Sequence, residues 1–468
     1  MTLQVFTPMH CATESAWICS IILRDSLGVD YAIVPSHDHA YTISADNRRL
    51  RLPDVFHRKW TPQSRSRGSS PALAPQLPLA NWDVSVIEGE TDLIEKLVPV
   101  LFGAPVAEVH EQSIRLGLDI FGTAFFMLSR CEELSPSKRD VHDRFPASAS
   151  LACRAGFLDR PIVDEYVEIL WSCMKRLWPN LQRKPRQGRM FVTCDVDEPY
   201  DYTLKSPRGV LKRVASDLLK RHSLREAVGS VRNAVARWNG NWSLDPYNTF
   251  SWMMDACERA GHQAAYFFIA GRSSNIDGEY DLDEPFIQHL LATIHRRGHE
   301  VGLHGSYNSF RDPSQLGRER RALQQACEMA RVNQPIVGNR QHYLRWDSAL
   351  SPASLEDAGI EYDTTGSFAD AAGFRYGTAH SFPMWDWQKG RPSKVKQRPL
   401  IMMETSVMAP TYQALGHTDA ALEKMLELKH RALRYGGEFV LLWHNSSLAT
   451  EADRRMYRSL LGLGADTG

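Results

Sequence analysis

The stretch RMFVTCDVDEP, residues 189–199, begins as an apolar strand and ends in two carboxylates. Residues two apart in a strand face the same way, so Asp195 and Asp197 project to one side. Two carboxylates on one face repel each other unless a cation or an arginine lies between them. Alternatively, the pair are turn-forming aspartates before Pro199. Unless the pair forms a turn, the spacing therefore predicts a cation or an arginine between the two carboxylates.

Strands and helices alternate along the chain after this stretch. Seven apolar segments are predicted as strands: RMFVTCDVD, AAYFFIAG, HEVGLHG, PIVGNRQHY, IEYDTTGSF, LIMMETSVM and EFVLLWHNS. Amphipathic helical segments, such as GRERRALQQACEMARV, separate most of them. This alternation predicts a parallel sheet, either open or closed into a barrel. Reactive side chains in such folds gather at the carboxyl ends of the strands.

The segment PNLQRKPRQGR, residues 179–189, marks the best domain boundary, because it has two prolines and little apolar periodicity. We therefore predict an N-terminal α/β domain of unknown role at 1–185 and a second domain at 186–468. Within the second, residues 203–242 carry nine Lys and Arg against two Asp and Glu at helical spacing. This basic insertion is either a solvated helix pair or a lid for an anionic or lipid-linked substrate.

Bulk composition argues against several classes of function. The chain of 468 residues has a formal net charge of zero, which argues against a general nucleic-acid binder. Its eight cysteines include no CxxC pair and fit buried thiols in a reducing compartment. We recognise neither a signal peptide nor a transmembrane stretch. We therefore expect a cytoplasmic protein, with peripheral association at the inner membrane face left open.

Further polar residues stand at the later predicted strands. His304 ends the strand HEVGLH, whereas His299, five residues earlier, faces the opposite side. Arg340 in GNRQHY and Asp363 in YDTTGSF belong to the fourth and fifth strands. His444 follows FVLLW, and a histidine in such a place has a pKa suited to proton transfer near neutrality. A lone histidine is more often structural, but the Asp-x-Asp strand favours a ligand role for His304.

The order Asp-x-Asp, His, Arg, Asp, His, each at a strand end, resembles the polysaccharide deacetylases of carbohydrate esterase family 4 over about residues 188–450. The segments DIFGTAFFMLSRCEE, FLDRPIVDEYVEILW, DPYNTF, GFRYGT and LLWHN resemble a subgroup with an extra N-terminal domain. The resemblance implies a distorted seven-stranded (β/α) barrel preceded by a smaller α/β domain. It also implies a divalent metal, usually zinc, and hydrolysis of an N-acetyl group.

Catalytic roles follow from this resemblance by position. Asp195 would be the general base, and Arg340 would orient and polarise it. His444 would protonate the departing amine and stabilise the tetrahedral oxyanion, supported by Asp363. Amide hydrolysis requires these residue types, since it needs a Lewis acid, a base for the attacking water and an acid for a poor leaving group.

The metal site departs from the family pattern. The resemblance implies Asp197 and His304 as ligands, with a second histidine four residues later, where this chain has Asn308. A neutral amide oxygen is a poorer zinc ligand than imidazole. We favour His342 in RQHY as the replacement, because it stands where the family usually has proline. Ligation by Asn308 or Glu198, a harder metal, or loss of the metal are the alternatives.

Three further residues are candidate substrate contacts. Trp385 and Trp387 in PMWDW could stack on a sugar ring, although tryptophan is also common at half-buried loop sites. Arg375 in GFRYGT could bind a substrate carboxylate in bidentate fashion, or it could form a structural salt bridge.

Together these residues predict metal-dependent hydrolysis of an N-acyl, acetyl-like group from an amino sugar. We expect an amino-sugar or oligosaccharide substrate from surface-polysaccharide or lipopolysaccharide O-antigen assembly, because a cytoplasmic enzyme does not meet the finished polymer. That substrate is either neutral, anionic or lipid-linked. A catalytically silent sugar-binding protein and an amidohydrolase for a non-sugar amide are the alternatives.

Overall fold

The computed structural model describes residues 2–59, 74–87, 91–135, 138–219 and 222–464. The strands of its N-terminal region are β1 (Leu3–Pro8), β2 (Tyr31–Ser36), β3 (Ala40–Ala45), β4 (Arg48–Pro53), β5 (Ala80–Asp83), β6 (Leu97–Val100), β7 (Gly103–Val109) and β8 (Ser113–Leu118). Six of them form a sheet in the order β2-β1-β3-β4-β8-β7, and β5 pairs with β6 in a separate sheet.

Helices of the N-terminal region pack on a hydrophobic core. They are α1 (Ala12–Cys19), α2 (Phe56–Lys59), α3 (Ile120–Leu128), α4 (Leu151–Arg154) and α5 (Ile162–Leu177). All nine residues of α3 are buried, because its sequence IFGTAFFML is apolar on every face. Burial alternates along β4 and β8, which turns Leu50, Leu52 and Leu116 towards this core. The N-terminal region is thus a mixed α/β unit.

The remaining strands form a single sheet of nine. They are β9 (Arg189–Val196), β10 (Ala264–Ile269), β11 (Glu300–Gly305), β12 (Gly338–Gln341), β13 (Tyr362–Asp363), β14 (Phe382–Asp386), β15 (Arg391–Gln397), β16 (Leu400–Met403) and β17 (Glu438–Leu442). Their order is β14-β15-β13-β12-β11-β10-β9-β17-β16. Neighbouring strands are parallel except for β14 and β15. Among the described residues, β14 and β16 are the two edge strands, so the sheet is open. The sheet curls into a half-barrel.

All seven predicted strands are present, but the predicted count of seven is corrected to nine. The additional strands are β14 and β15. Pro383 lies within the first of them, and exposed Lys394 and Lys396 alternate with buried residues in the second. A strand that contains proline, or whose exposed positions are charged, resembles a surface loop in sequence.

Helices connect the strands of the nine-stranded sheet. They are α6 (Pro207–Leu219), α7 (Leu224–Trp238), α8 (Phe250–Arg259), α9 (Pro285–Arg296), α10 (Pro313–Met329), α11 (Ser351–Asp357), α12 (Glu404–Met408), α13 (Asp419–Arg434) and α14 (Glu451–Leu461). The first two make up most of the basic insertion. Across the described part of the chain, none of the helices combines the length and the apolar composition needed to cross a bilayer.

Aromatic side chains join the N-terminal region to the nine-stranded sheet. Trp385 on β14 is buried, and its ring centroid lies 5.2 Å from those of Trp17 and Phe125. Trp387 donates from Nε1 to the Ser129 carbonyl oxygen at 2.9 Å. Both indoles therefore pack against the N-terminal region, which corrects the prediction that they stack on a substrate sugar.

A buried ion pair crosses the same junction. Arg375 donates to both carboxylate oxygens of Glu133, from Nε at 2.9 Å and from Nη2 at 2.7 Å. Arg130 donates to the same carboxylate at 2.7 Å, and all three side chains are buried. Burial opposes ionisation, but the two guanidinium groups hold the pKa of Glu133 well below its usual range. Arg375 is therefore a structural residue, and its predicted contact with substrate is corrected.

We expect Arg375→Ala to lower the free energy of unfolding by ~3–5 kcal/mol, because it removes one partner of a buried ion pair. Arg391→Ala is the matched control, since Arg391 pairs with Glu356 at 2.6 Å in a partly exposed position. Pairs of that kind contribute ~0–1 kcal/mol. Urea denaturation of both variants measures the difference, and equal losses would show that the junction does not depend on Arg375.

Candidate metal centre and active site

The carboxyl ends of the central parallel strands lie side by side. His304 of β11 is opposite Arg340 of β12, and Asp195 of β9 is opposite Phe267 of the intervening β10. Polar side chains that end these strands therefore converge at one edge of the sheet. Asp195 and His304 are buried there, whereas the side chain of Asp197 is 30% exposed.

Asp197, His304 and His342 form a cluster with the composition of a metal site. Asp197 Oδ1 lies 3.1 Å from His304 Nε2 and 3.7 Å from His342 Nε2. One ligand atom of each residue lies within 4.8 Å of the other two. Two imidazoles and a carboxylate, with a fourth position left open, are a common ligand set for catalytic zinc. These three residues therefore fit a divalent cation.

Each histidine of the cluster is oriented through its other ring nitrogen. His304 Nδ1 donates to the Arg340 carbonyl oxygen at 2.9 Å. His342 Nδ1 donates to Asp277 Oδ1 at 2.9 Å. These bonds fix the tautomers and leave each Nε2, facing Asp197, free to act as a ligand.

Asp277 is a supporting residue that the sequence analysis missed. Its buried carboxylate accepts hydrogen bonds from the backbone N–H groups of Ser273, Ser274 and Tyr307, each at 2.8 Å. Burial opposes ionisation, but the bonds from His342 and the backbone hold the pKa of Asp277 below its ordinary value. Its position in the loop after β10, at the same sheet edge, was the signal that could have revealed it.

Asn308 lies outside the cluster. Its side-chain nitrogen donates to the Ser273 carbonyl oxygen at 2.8 Å, and its side-chain oxygen accepts from Arg345 Nη1 at 2.9 Å. The oxygen that would bind a metal is therefore already engaged, so ligation by Asn308 is corrected. His342 instead lies beside Asp197. Glu198 lines the same cavity without belonging to the three-residue cluster.

The turn that carries His342 is strained. Tyr343 and Leu344 have φ angles of +62° and +53°. This left-handed conformation costs ~1–3 kcal/mol at a residue other than glycine. Arg144, from the N-terminal region, donates to the Tyr343 carbonyl oxygen at 2.9 Å and to the Tyr412 hydroxyl at 3.3 Å. The N-terminal region thus helps to hold this turn.

A buried carboxylate–guanidinium pair flanks the cluster. Asp195 Oδ1 lies 3.3 Å from Arg340 Nε, and Asp195 Oδ2 lies 3.8 Å from His304 Nε2. Arg340 also donates from Nη2 to Thr193 Oγ1 at 2.6 Å. One carboxylate oxygen therefore faces the arginine while the other faces the candidate metal site.

His444 lies on the other side of Asp197, and Glu404 supports it. His444 Nε2 is 3.6 Å from Asp197 Oδ2, and His444 Nδ1 donates to Glu404 Oε1 at 2.6 Å. Asp363 instead accepts from Asn339 Nδ2 at 2.8 Å within the sheet. The prediction that Asp363 supports His444 is thus corrected, and Glu404 takes that position.

Glu404 favours a protonated His444. Burial alone would favour the neutral ring, but Glu404 and Asp197 raise the pKa of His444 to about 10. A cation bound at Asp197 would weaken the Asp197 contribution and leave that of Glu404 in place. Glu404 was missed because it lies inside the predicted strand LIMMETSVM, whereas the observed β16 ends at Met403, immediately before Glu404.

These groups face one cavity of about 510 Å³. Its charged and aromatic lining residues are Arg144, Asp195, Asp197, Glu198, Tyr202, Asp277, Glu279, His304, His342, Tyr343, Tyr412 and His444. The volume suits a ligand of sugar size. Tyr202 begins a short helical turn that packs against α6, so the turn leading into the basic insertion lines the cavity.

The chain has low sequence identity to the solved structures that it resembles. Residues 3–179 match a family of unknown function, DUF7033. No curated protein matches the chain. A solved structure from Mycobacterium smegmatis, described as a polysaccharide deacetylase, is 16% identical with a TM-score of 0.38 over 60% of this chain and 84% of that chain. The Puue allantoinase is 10% identical with a TM-score of 0.37, over 60% of this chain and 87% of that chain.

A 4-alpha-glucanotransferase from Thermococcus litoralis is 13% identical, with a TM-score of 0.32, over 59% of this chain and 37% of that chain. Similarities at this level do not assign a function, which has to be argued from the site itself.

We expect His304→Ala and His342→Ala each to remove one bound zinc equivalent per chain, because each deletes a ligand. Asn308→Ala is the matched control and should keep the wild-type metal content. Asp277→Asn should retain all three ligands but weaken zinc affinity ~10–100-fold, because the carboxylate that accepts from His342 Nδ1 is lost. Elemental analysis after dialysis, together with calorimetric zinc titration, measures both effects. Equal metal loss in Asn308→Ala and His342→Ala would contradict the assignment of His342.

Proposed function

We propose that this protein is a metal-dependent hydrolase that removes an N-acyl group, acetyl in size, from an amino sugar on a barrel of the polysaccharide-deacetylase type. One observation carries the proposal: the cluster of Asp197, His304 and His342 lies between a buried carboxylate and a carboxylate-supported histidine. Amide hydrolysis needs a Lewis acid, a base and an acid. A single cavity contains a candidate for each of these roles.

The cluster would hold the cation, and its donor set fits zinc. When bound, such a cation polarises an amide carbonyl and acidifies water. His304 and His342 would bind through Nε2, since the Arg340 carbonyl and Asp277 engage their Nδ1 atoms. These supports keep both rings in place and reduce the reorganisation that cation binding requires.

Asp195 is the proposed general base. Its Oδ2 lies 3.8 Å from His304 Nε2 and so borders the cation site, while Oδ1 faces Arg340. A carboxylate there would accept the proton of the attacking water. Arg340, itself held by Thr193, would keep the carboxylate oriented towards that water.

His444 is the proposed general acid. Its Nδ1 is committed to Glu404, so Nε2 is the nitrogen that faces the cavity and Asp197. An imidazolium in this position would stabilise the developing oxyanion and deliver a proton to the departing amine. Glu404 would serve as the positioning residue for this histidine.

The lining of the cavity supports a sugar substrate. Tyr202, Tyr343 and Tyr412 face the cavity beside the catalytic groups. Tyrosine combines an apolar ring face with a hydroxyl group, a pairing that matches a sugar ring and its hydroxyls. Tyr202, in the short turn that packs against the basic helix α6, lines the cavity, and the positive charge of that helix favours an anionic substrate. We further propose a cytoplasmic amino-sugar intermediate of surface-polysaccharide or lipopolysaccharide O-antigen assembly.

Asp195→Asn and His444→Gln should each lower kcat for N-deacetylation by ~10²–10⁴-fold, because each removes a proton-transfer group. Their zinc content should equal that of the wild type. Glu198→Gln is the matched control, since Glu198 lines the cavity without a proposed catalytic role. The assay is acetate release by the zinc-loaded protein from free, nucleotide-linked and lipid-linked N-acetylated amino sugars, with non-sugar amides included.

The same panel separates the alternatives. Sugar binding without acetate release would identify a binding protein and overturn the hydrolase proposal. Turnover of a non-sugar amide alone would retain the chemistry and overturn the sugar substrate.

A further inference from the structure

The N-terminal region contains a second cluster of metal-binding side chains. One ligand atom each of His10, Cys11 and Asp54 lies within 4.8 Å of the other two. Asp54 Oδ2 is 2.9 Å from His10 Nε2. Cys11 and Asp54 are buried, while the side chain of His10 is 34% exposed. None of the three residues lines the cavity of the proposed hydrolase site.

Strand order brings these residues together. His10 and Cys11 follow the end of β1, and Asp54 directly follows β4. Since β3 is antiparallel to both strands, β1 and β4 run in the same direction and end at the same edge of the sheet. The cluster is therefore formed by two strand ends, as the proposed hydrolase site is.

His57 orients one oxygen of the Asp54 carboxylate, and the other oxygen faces the cluster. Its Oδ1 accepts from His57 Nδ1 and from the His57 backbone N–H, both at 3.1 Å. Its Oδ2 is fully buried, and His10 Nε2 faces it at 2.9 Å. A buried carboxylate oxygen in that situation is costly unless positive charge faces it. It points towards the other two members of the cluster.

Cys11 contributes the sulfur atom of the cluster, and polar groups lie close to it. Its Sγ lies 3.2 Å from Ser15 Oγ and 4.0 Å from the Tyr41 hydroxyl, two groups able to donate to sulfur. Thiolate, imidazole and carboxylate together suit zinc better than they suit calcium or magnesium.

We propose that His10, Cys11 and Asp54 bind a zinc ion, with His57 as the residue that orients Asp54. Zinc lies about 2.0–2.3 Å from its ligand atoms, so the three atoms could converge on it by small side-chain rotations. The ion would tie the ends of β1 and β4 together. This site is separate from the proposed hydrolase centre and does not depend on its activity.

Cobalt(II) titration of the metal-stripped, full-length protein tests this site. A thiolate ligand gives cobalt(II) a near-ultraviolet charge-transfer absorption, which the Asp and His ligands of the hydrolase centre do not give. We expect this absorption in the wild type and in His304→Ala, and its loss in Cys11→Ser. Cys153→Ser is the matched control, because Cys153 is an exposed thiol outside the cluster.

Zinc analysis supplies the second readout. Cys11→Ser and His10→Gln should each hold one zinc equivalent fewer than the wild type, and circular dichroism verifies that both variants are folded. The partly exposed His10 keeps the test usable if the Cys11 variant fails to fold. Absence of the absorption in the wild type, its survival in Cys11→Ser, or its loss in Cys153→Ser would overturn the proposal.

An independent feature is the exposed apolar face of the basic insertion. Five residues recur along α7 at spacings of four and three, and all are exposed: Leu224, Val228, Val231, Val235 and Trp238. This spacing aligns them on one face of the helix. Leu211, Leu218 and Leu219 of α6 are exposed as well. The opposite side of the pair is packed, since Ala234 contacts a small core with Leu204 and Val210.

Positive charge accompanies this apolar face. Arg208 and Lys212 on α6 and Arg225 and Arg232 on α7 are exposed. Apolar side chains, a tryptophan and basic residues on adjacent helices match the headgroup region of a bilayer that contains anionic lipid. We propose that α6 and α7 bind such a surface. The biological role of this membrane binding rests on the proposed function, because the bilayer would present a lipid-linked amino sugar to the cavity.

Vesicle co-sedimentation tests this surface without any substrate. The wild type should bind vesicles of mixed phosphatidylcholine and phosphatidylglycerol at least tenfold more tightly than vesicles of phosphatidylcholine alone. Arg225→Gln and Arg232→Gln should each weaken binding about fivefold. The double variant Val231→Asp/Val235→Asp should lose at least tenfold, whereas Val106→Asp, at an exposed position on β7, is the matched control.

Equal binding to both vesicle types, or binding unchanged in the double variant, would overturn the bilayer proposal. Light scattering without lipid provides the other check, since a dimer that the double variant abolishes would assign the face to a second copy of the chain. Neither measurement involves catalysis, so failure here is distinguishable from failure of the proposed hydrolase.

Discussion

Charge compensation at one edge of the parallel sheet is the constraint on which the site depends. Asp195 and Asp197 leave the same side of β9, and two nearby carboxylates ionise together only when positive groups face them. Arg340 lies 3.3 Å from Asp195, while His304 lies 3.1 Å from Asp197. These four side chains are partly or fully buried, and a buried polar group needs a hydrogen-bond partner. This need for charge compensation and hydrogen bonding accounts for the arginine and the histidine beside the two carboxylates.

Asn308 illustrates how a position expected to bind metal can serve another purpose. Its side-chain oxygen accepts from Arg345, and the same guanidinium donates to the His142 carbonyl oxygen at 2.9 Å. His142 belongs to the N-terminal region, two residues before Arg144, which supports the turn after His342. The asparagine therefore takes part in a contact between the two regions, through Arg345. An imidazole at this position would not offer Arg345 the same carbonyl oxygen.

Residues that end or directly follow an apolar strand were predictable, because the strand pattern shows at which end of the sheet their side chains lie. Asp195, Asp197 and His304 are of this kind, and their convergence follows from parallel pairing. Asp277 is harder to assign: the strand pattern shows that it follows β10, but it does not specify the loop conformation that brings Asp277 to His342. Arg375 and the tryptophans of β14 were misassigned for a related reason: a buried interface between regions and a substrate pocket select the same residue types.

The position of His342 makes the candidate metal centre depend on both regions of the chain. Two ligands four residues apart in one segment would be held by that segment's own backbone, whereas His304 and His342 come from adjacent strands. The ring of His342 then needs Asp277 from a third strand's loop, and its strained turn needs Arg144 from the N-terminal region. Undocking the N-terminal region would release that turn and allow it to relax towards unstrained backbone angles. We therefore expect the cation affinity of the candidate site to depend on the docking of the N-terminal region.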